Sequence, residues 1–364
     1  MSKTIIIGDS THNTLSIIRS LGAENISFVL ILKCEDDTCN VLKSKYVRKN
    51  KVYTISKIEE CETILNTYNK SDRPFLICTF DEAAEWVDKN EDALYEIFIT
   101  PCRGKHIGNL FNKKEQCKLA EECGLTVPKT EIFNRDKVPE SFPMEYPIII
   151  KPLYSTGGEK SDIRICRTEQ DLSSALEIAG HCDSFVAQEF INKEYELNCV
   201  GVSLDSGVVI PGAVRKIRHY PPVIGACSYG KYVLARDLVI NWEGLERFIK
   251  SVNYHGPFSA EFLYSKGKYY FMEVNFRNDG LAYVPTVAGA NLHAMYVDSS
   301  IVFNPKKVHD IYMMNYSIDY LYVKERIVTK LQWWKDFIGT KCFINLSLRD
   351  VVPVLAHYMK KFHN

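Results

Sequence analysis

The chain has 364 residues, 46% of them hydrophobic, and its 45 Lys plus Arg are balanced by 45 Asp plus Glu. That length exceeds one ordinary domain and that apolar content builds real cores, so two or three packed subdomains are expected and a mainly disordered chain is excluded. A formal net charge of zero supplies no global field for nucleic acid or an anionic membrane, so no nucleic-acid partner is expected and any anion site must be local.

The apolar run Thr4-Ile5-Ile6-Ile7-Gly8 predicts a short buried strand ending in a glycine turn. It is too short for a secretory signal. No later stretch approaches the roughly 18–20 apolar residues of a membrane span, so a cytoplasmic protein is expected. A helix follows over residues 13–21, with Leu15, Ile18 and Leu21 on one face and Gly22 as its stop. Apolar runs at 28–32 and 74–79 complete a strand–helix–strand order that implies a parallel sheet with right-handed crossovers. Residues 1–100 are therefore expected to form a doubly wound α/β domain that shapes a substrate site. Its G-D-S-T-H-N turn lacks the later glycines of a dinucleotide fingerprint. The 12 cysteines form no C-x-x-C pair and no histidine cluster accompanies them, so buried thiols are expected rather than disulfides or zinc ligands.

Residues 113–123 read as a helix stopped by Gly124. The strand 147–151 ends on Lys151, whose ammonium needs a partner if it is buried. Ser155, Thr156, Gly157 and Gly158 then make a turn whose backbone N–H groups can close over phosphates, although a plain surface hairpin fits as well and no Walker A pattern is present. Helices are expected at 169–179 and 243–252. Between them a strand ends at Gln188-Glu189-Phe190-Ile191 and another begins near Glu196. This connector can offer backbone groups to an adenine edge, and Glu196 can accept from ribose hydroxyls; exposed acids beside a turn are the competing reading.

The densest chemistry lies in F-S-A-E-F-L-Y-S-K-G-K-Y-Y-F-M-E-V-N-F-R-N, read as a hairpin of strands 258–264 and 268–275. Alternation puts Glu273, Asn275 and Arg277 on one face, and strand pairing brings Glu261 beside them. Two carboxylates and an amide oxygen make a hard-oxygen site suited to Mg2+ shared with nucleotide phosphates. Arg277 would point at a transferring phosphoryl group or a bound carboxylate. The competing reading is a solvated strand face.

Taken in order, Lys113 in N-K-K-E, Lys151 before the Ser-Thr-Gly-Gly turn, Glu189 with Glu196, and Glu261 with Glu273, Asn275 and Arg277 resemble the ATP-grasp superfamily over roughly residues 100–290. The resemblance implies a mixed α/β and α+β fold in which the N-terminal domain precedes two subdomains that clamp ATP. Its divisions would be a small subdomain with the lid loop at 101–186, a large subdomain with the metal site at 187–305, and a C-terminal helical extension at 306–364. It implies that Lys113 and Lys151 bind ATP phosphates and that 155–158 form the lid. Glu189, Phe190 and Ile191 would be the adenine hinge and Glu196 the ribose ligand, with Glu261, Glu273 and Asn275 holding Mg2+, or Mn2+. The family often has Asp before the first lysine, where this chain has Asn112.

H-N-T-L-S-I-I-R-S-L-G-A and S-K-Y-V resemble the carboxylate–amine ligase branch, which includes D-aspartate ligase-like and amino-acid ligase-like enzymes. The implied reaction joins a small-molecule carboxylate to an amine through an acyl phosphate, with release of ADP and phosphate. A small-molecule kinase and an inactive nucleotide-binding regulator are the alternatives. Arg215, Lys216, Arg218 and His219 can hold a substrate carboxylate or the γ-phosphate, and alternation lets only Arg215 with Ile217 or Lys216 with Arg218 face the site. The last residues read as a helix capped near Asp350 with an apolar stripe from Val351 to Phe362. It is expected to pack on the body, with peripheral membrane contact as the rival. A homodimer is compatible with the sequence, which carries no readable code for oligomeric state or for the two substrates.

Overall fold

Strand β1 (Thr4–Asp9) buries both faces: Ile5 and Ile7 enter one core and Ile6 another. In this computed structural model, which describes residues 4–34, 39–153, 163–179, 181–222 and 225–353, β1 lies between two parallel neighbours. They are β2 (Val29–Lys33) and β4 (Phe75–Cys78), and β3 (Val52–Ile55) pairs in parallel with β2. The helix His12–Ala23 covers the Ile6 side and the helix Asp81–Lys89 covers the other, which is the expected doubly wound arrangement. Gly22 does not stop its helix, which runs on through Ala23. A Cβ at Gly22 would lie 2.3 Å from the Tyr46 ring, so this glycine serves close packing. Gly124, by contrast, takes φ +81° just after the helix Lys113–Glu122, as a terminating glycine should.

A second, antiparallel sheet contains β5 (Thr130–Asn134), β6 (Ile148–Pro152), β7 (Arg164–Cys166) and β8 (Ser184–Glu189) in the order β5-β8-β6-β7. The helix Glu169–Ile178 packs on its apolar face through Leu172, Ala175 and Leu176. Because β8 continues to Glu189, the expected boundary after residue 186 falls inside a strand.

The largest sheet contains β9 (Tyr195–Leu204), β10 (Gly207–Val209), β11 (Gly212–Tyr220), β12 (Ala226–Leu234), β13 (Pro257–Ser265), β14 (Lys268–Asn275), β15 (Ile311–Met314) and β16 (Thr340–Phe343). Its order is β14-β13-β9-β11-β12-β15-β16, with β10 paired to β9. The tail is thus not the purely helical extension expected. β15 closes the open edge of β12, and β16 joins it in parallel after the helix Lys330–Gly339 makes the crossover. Among the described residues no helix is long and apolar enough to cross a membrane. All 12 cysteines are free thiols, and all but Cys34 and Cys227 are buried.

Asp350 stands just ahead of helical residues 352–353, where a helix start was expected. Fully buried, its carboxylate accepts from Arg19 Nε at 3.1 Å, Ser44 Oγ at 2.9 Å and the Lys45 amide at 2.9 Å, joining the tail to the N-terminal domain. Most of the expected C-terminal stripe, from 354 on, lies outside the described residues; Val351 is exposed. Removing one partner of a buried ion pair strands the other's charge. Asp350→Ala is therefore expected to lower the unfolding free energy by about 3–5 kcal/mol in urea denaturation, and the double change Arg19→Met with Asp350→Leu to lower it less.

Candidate functional site

Strand β9 changes chemistry along one face. Glu196 and Asn198 are followed on that face by Val200 and Val202, which enter the core shared with the N-terminal domain. Leu197 and Cys199 face the opposite core with Phe248 and Phe262. The polar end of this face is where the expected ligands meet. Glu261 stands directly opposite Glu273 on one side and Asn198 on the other, and Ser259 stands opposite Asn275. Val274 and Phe276, which alternate with Glu273, Asn275 and Arg277, enter the opposite core.

Glu261 is 31% exposed, yet protein packs around it closely enough that burial raises its carboxyl above the usual range. Lys216 pulls it back down, and the Glu273 carboxylate pushes it up again. Lys216 Nζ lies 2.9 Å from Glu196 and 3.3 Å from Glu261, a bridge between the two. Burial opposes its charge, but Glu261 and Glu196 together raise it above an ordinary lysine. Burial likewise opposes ionisation of Glu196, but Lys216 and Lys193 outweigh it and hold the carboxyl at about 2.

Of the four basic residues on β11, only Lys216 and His219 reach this cluster, with His219 Nε2 3.8 Å from Glu196. Arg215 is on the opposite face, 4.0 Å above the Tyr195 ring. Strict alternation would put Arg218 beside Lys216, but the register shifts between them, with Lys216 opposite Gly230 and Arg218 opposite its neighbour Tyr229. The bulge at Ile217 turns Arg218 to the other face. There its Nε and Nη2 donate to Asp319 at 3.0 and 2.8 Å, and its Nη1 donates to Asp336 at 2.7 Å. Both expected substrate arginines on this strand are thus occupied elsewhere, and the bulge is the reason for Arg218.

Two further lysines approach from other elements. Lys113, at the start of its helix, places Nζ 4.0 Å from Glu273, while Asn112 caps that helix by accepting from the Lys114 amide at 2.9 Å. Asn112 is thus a regular side-chain cap for this helix. Lys151 on β6 is 8% exposed and donates to Gln188 Oε1 at 3.1 Å. Burial lowers its affinity for the proton, Glu273 raises it, and Lys113 lowers it. At the expected hinge, the Glu189 amide donates to the Lys129 carbonyl at 2.9 Å and the Phe190 amide to Pro147 at 3.3 Å. The Glu189 carboxylate accepts the Lys129 amide at 3.2 Å, and Ile191 is buried. Residues 155–158 lie outside the described residues.

Arg277 shares the carboxylate face, but Asp81 holds it: Nε donates to Oδ1 at 2.6 Å and Nη2 to Oδ2 at 3.3 Å. Nη2 also lies 3.3 Å from Asn275 Oδ1. Asp81, Asn198, Ser259 and Asp279 join the site without having been expected from the sequence, as does the Gln188 side chain, whose connector was expected to act through its backbone. Asn198 and Ser259 carry a signal, since each stands two residues from an expected ligand and alternation puts it on the same face. Asp279 accepts from Ser259 Oγ at 3.3 Å and raises Glu261 slightly further. Among the described residues no three His, Cys, Asp or Glu converge on one point. Two opposed carboxylates with an amide oxygen, one of them pushed up by burial and by the other's charge, suit a cation whose remaining oxygens come from phosphate and water.

No family model matches the chain. Its fold is similar to L-amino acid ligase from Bacillus licheniformis, with TM-score 0.63 and 15% identity over 85% of this chain and 79% of that one. It is similar to N5-carboxyaminoimidazole synthetase from Staphylococcus aureus complexed with ADP, with TM-score 0.67 and 15% identity over 90% and 86%. The biotin carboxylase domain of Hydrogenobacter thermophilus 2-oxoglutarate carboxylase, complexed with MgADP, gives TM-score 0.63 and 14% identity over 84% and 73%.

The stabilisation contributed by a carboxyl held low is fully present above the ordinary glutamate value and is lost as pH falls through the folded value, here about 2. Carbon-13 NMR is expected to show Glu196 titrating at about 2 and moving up in Lys216→Met. An unchanged value in that variant would contradict the bridge.

Proposed function

We propose that this chain, whose fold is that of the ATP-grasp ligases with their preceding α/β domain, is an ATP-dependent carbon–nitrogen ligase. It would join the carboxylate of an amino-acid-type substrate to an amine through an acyl phosphate, releasing ADP and phosphate. The observation that carries this reading is the cross-strand pair of Glu261 and Glu273 with Asn275 on the same face. A solvated strand face would not also gather Lys113 and Lys216 beside those carboxylates.

In this reading ATP lies between the small sheet and the large one. The adenine would sit near 189–191, where Ile191 is buried and the strand ends. Glu196 would reach the ribose, and Lys113 and Lys151 would meet the phosphates. Glu261, Glu273 and Asn275 would hold Mg2+, or Mn2+. When bound, that ion neutralises charge on the phosphoryl oxygens and fixes their alignment. Lys216, fixed between Glu196 and Glu261, would set a cation beside the transferring group without titrating. Arg277 would face the acceptor side at an angle set by Asp81. Likeness to an amino acid ligase favours amino acids as the first substrates to test.

Glu273→Gln is expected to lower ATP turnover by about a hundredfold or more, the size usual for removing one group that stabilises transition-state charge. The thermal midpoint should be unchanged, because the side chain is 29% exposed. ADP release is expected to require both a carboxylate and an amine, and hydroxylamine to trap a hydroxamate. ADP release with a single substrate and no trapped product would establish a kinase instead.

A further inference from the structure

The helix Lys330–Gly339 carries two apolar faces. On one, Trp333 is 4% exposed and packs with Tyr229, Met314, Val323 and the half-buried Phe337. Asp336, on that side too, pairs with Arg218. On the other, Leu331 (69% exposed), Trp334 (53%) and Ile338 (78%) stand at i, i+3 and i+7, a single stripe along the helix. Exposed apolar residues scattered singly are ordinary; an aligned set marks an interaction surface. The Trp334 ring is held edge-on by Trp333 and by Phe337, each 5.4 Å away between centroids, so it is ordered before any partner arrives.

The stripe also has a charge pattern. At 3.6 residues per turn, Lys330 falls on one flank and Lys335 on the other, both exposed, and exposed Lys341 follows just beyond the helix. The neighbouring carboxylates are engaged: Asp336 binds Arg218, and Glu325 accepts the Tyr220 hydroxyl. An apolar ridge with a tryptophan, flanked by lysines, is the pattern of a helix lying in a membrane interface. A second copy of the chain fits less well, because a two-fold contact would set lysine flank against lysine flank.

We propose that this helix is a membrane-docking surface. Leu331, Trp334 and Ile338 enter the headgroup–acyl boundary of an anionic bilayer, and Lys330 and Lys335 meet lipid phosphates. The zero net charge of the chain makes the attraction local and sensitive to salt. The site is independent of the reaction proposed above.

The test is co-sedimentation of the full chain with vesicles of phosphatidylcholine alone and of equal parts phosphatidylcholine and phosphatidylglycerol. Binding to the anionic vesicles is expected, with a blue shift of tryptophan emission. The combined Leu331→Ser, Trp334→Ser and Ile338→Ser variant should lose about tenfold or more of that binding with its circular dichroism unchanged. Lys330→Glu with Lys335→Glu should remove the preference for anionic lipid. Failure of the chain to bind either vesicle, or undiminished binding by the triple variant, would overturn the proposal. A concentration-dependent dimer in sedimentation velocity, abolished by the triple variant in a chain that ignores vesicles, would instead give the surface to a second copy.

Discussion

One face of the large sheet must be charged at one end and apolar at the other, and the change occurs between Asn198 and Val200. Val200, Val202, Val214 and Tyr232 pack against the N-terminal domain on the face that carries Glu196, Glu261 and Lys216 a few residues away. Apolar packing thins the water around those charges, so each needs a counter-charge close by rather than distant screening. Lys216 meets that need for two carboxylates at once. The result is a rigid polar island in which one ammonium fixes the electrostatics of Glu196 and moderates Glu261.

The N-terminal domain does more than cover the apolar end. Beyond β14 the chain runs through Arg277, Asn278 and Asp279, and each is taken by a different partner. Arg277 binds Asp81; the Asn278 side chain donates to the Asn13 carbonyl at 2.6 Å and Ser16 Oγ at 2.8 Å; Asp279 meets Ser259. Asn278 also pairs with His293, whose burial holds its imidazole neutral, at about 3. Gly280 passes so close to the first helix that a Cβ there would lie 2.5 Å from the His12 ring. The strand bearing Glu273 and Asn275 is therefore anchored at its far end by the domain expected to shape the substrate site. A shift of that domain would be felt at the carboxylates.

Features set by neighbouring residues were legible in the sequence, and features set by distant ones were not. Period-two alternation and the tight turn at 266–267 are local, so the hairpin itself was legible, but Glu261 opposes Glu273 only because the register shifts by one residue between Phe262 and Glu261, a bulge the sequence does not announce. The doubly wound start was legible for the same reason, since Ile5, Ile6 and Ile7 leave no polar face. Arg277 kept its expected face but not its expected freedom, because its partner Asp81 is 196 residues away. The arginines of β11 failed differently. Nothing in V-R-K-I-R-H announces a bulge, and one extra residue sends Arg218 across the sheet to Asp319 and Asp336. The tail strands were hidden because Ile311-Tyr312-Met313-Met314 is short and follows no clear alternation, and because pairing with β12 rather than propensity makes it a strand.

The site's own charges bear on what it can accept. Lys113, Lys151, Lys193, Lys216 and Arg277 stand against Glu196, Glu261, Glu273, Asp81 and Asp279, so these side chains cancel one another before any ligand arrives. A nucleoside triphosphate would bring negative charge that this set cannot neutralise, and moving the lysines toward phosphate would strip Glu261 and Glu273 of their counter-charges. A divalent cation held by Glu261, Glu273 and Asn275 would resolve both problems, because it would supply positive charge that the glutamates and the phosphates both lack. On the ligase reading, nucleotide and metal are therefore expected to bind as one unit, with Lys113 moving from Glu273 to the phosphates as they do. Lys216, with two carboxylates within 3.3 Å, is expected to stay where it is.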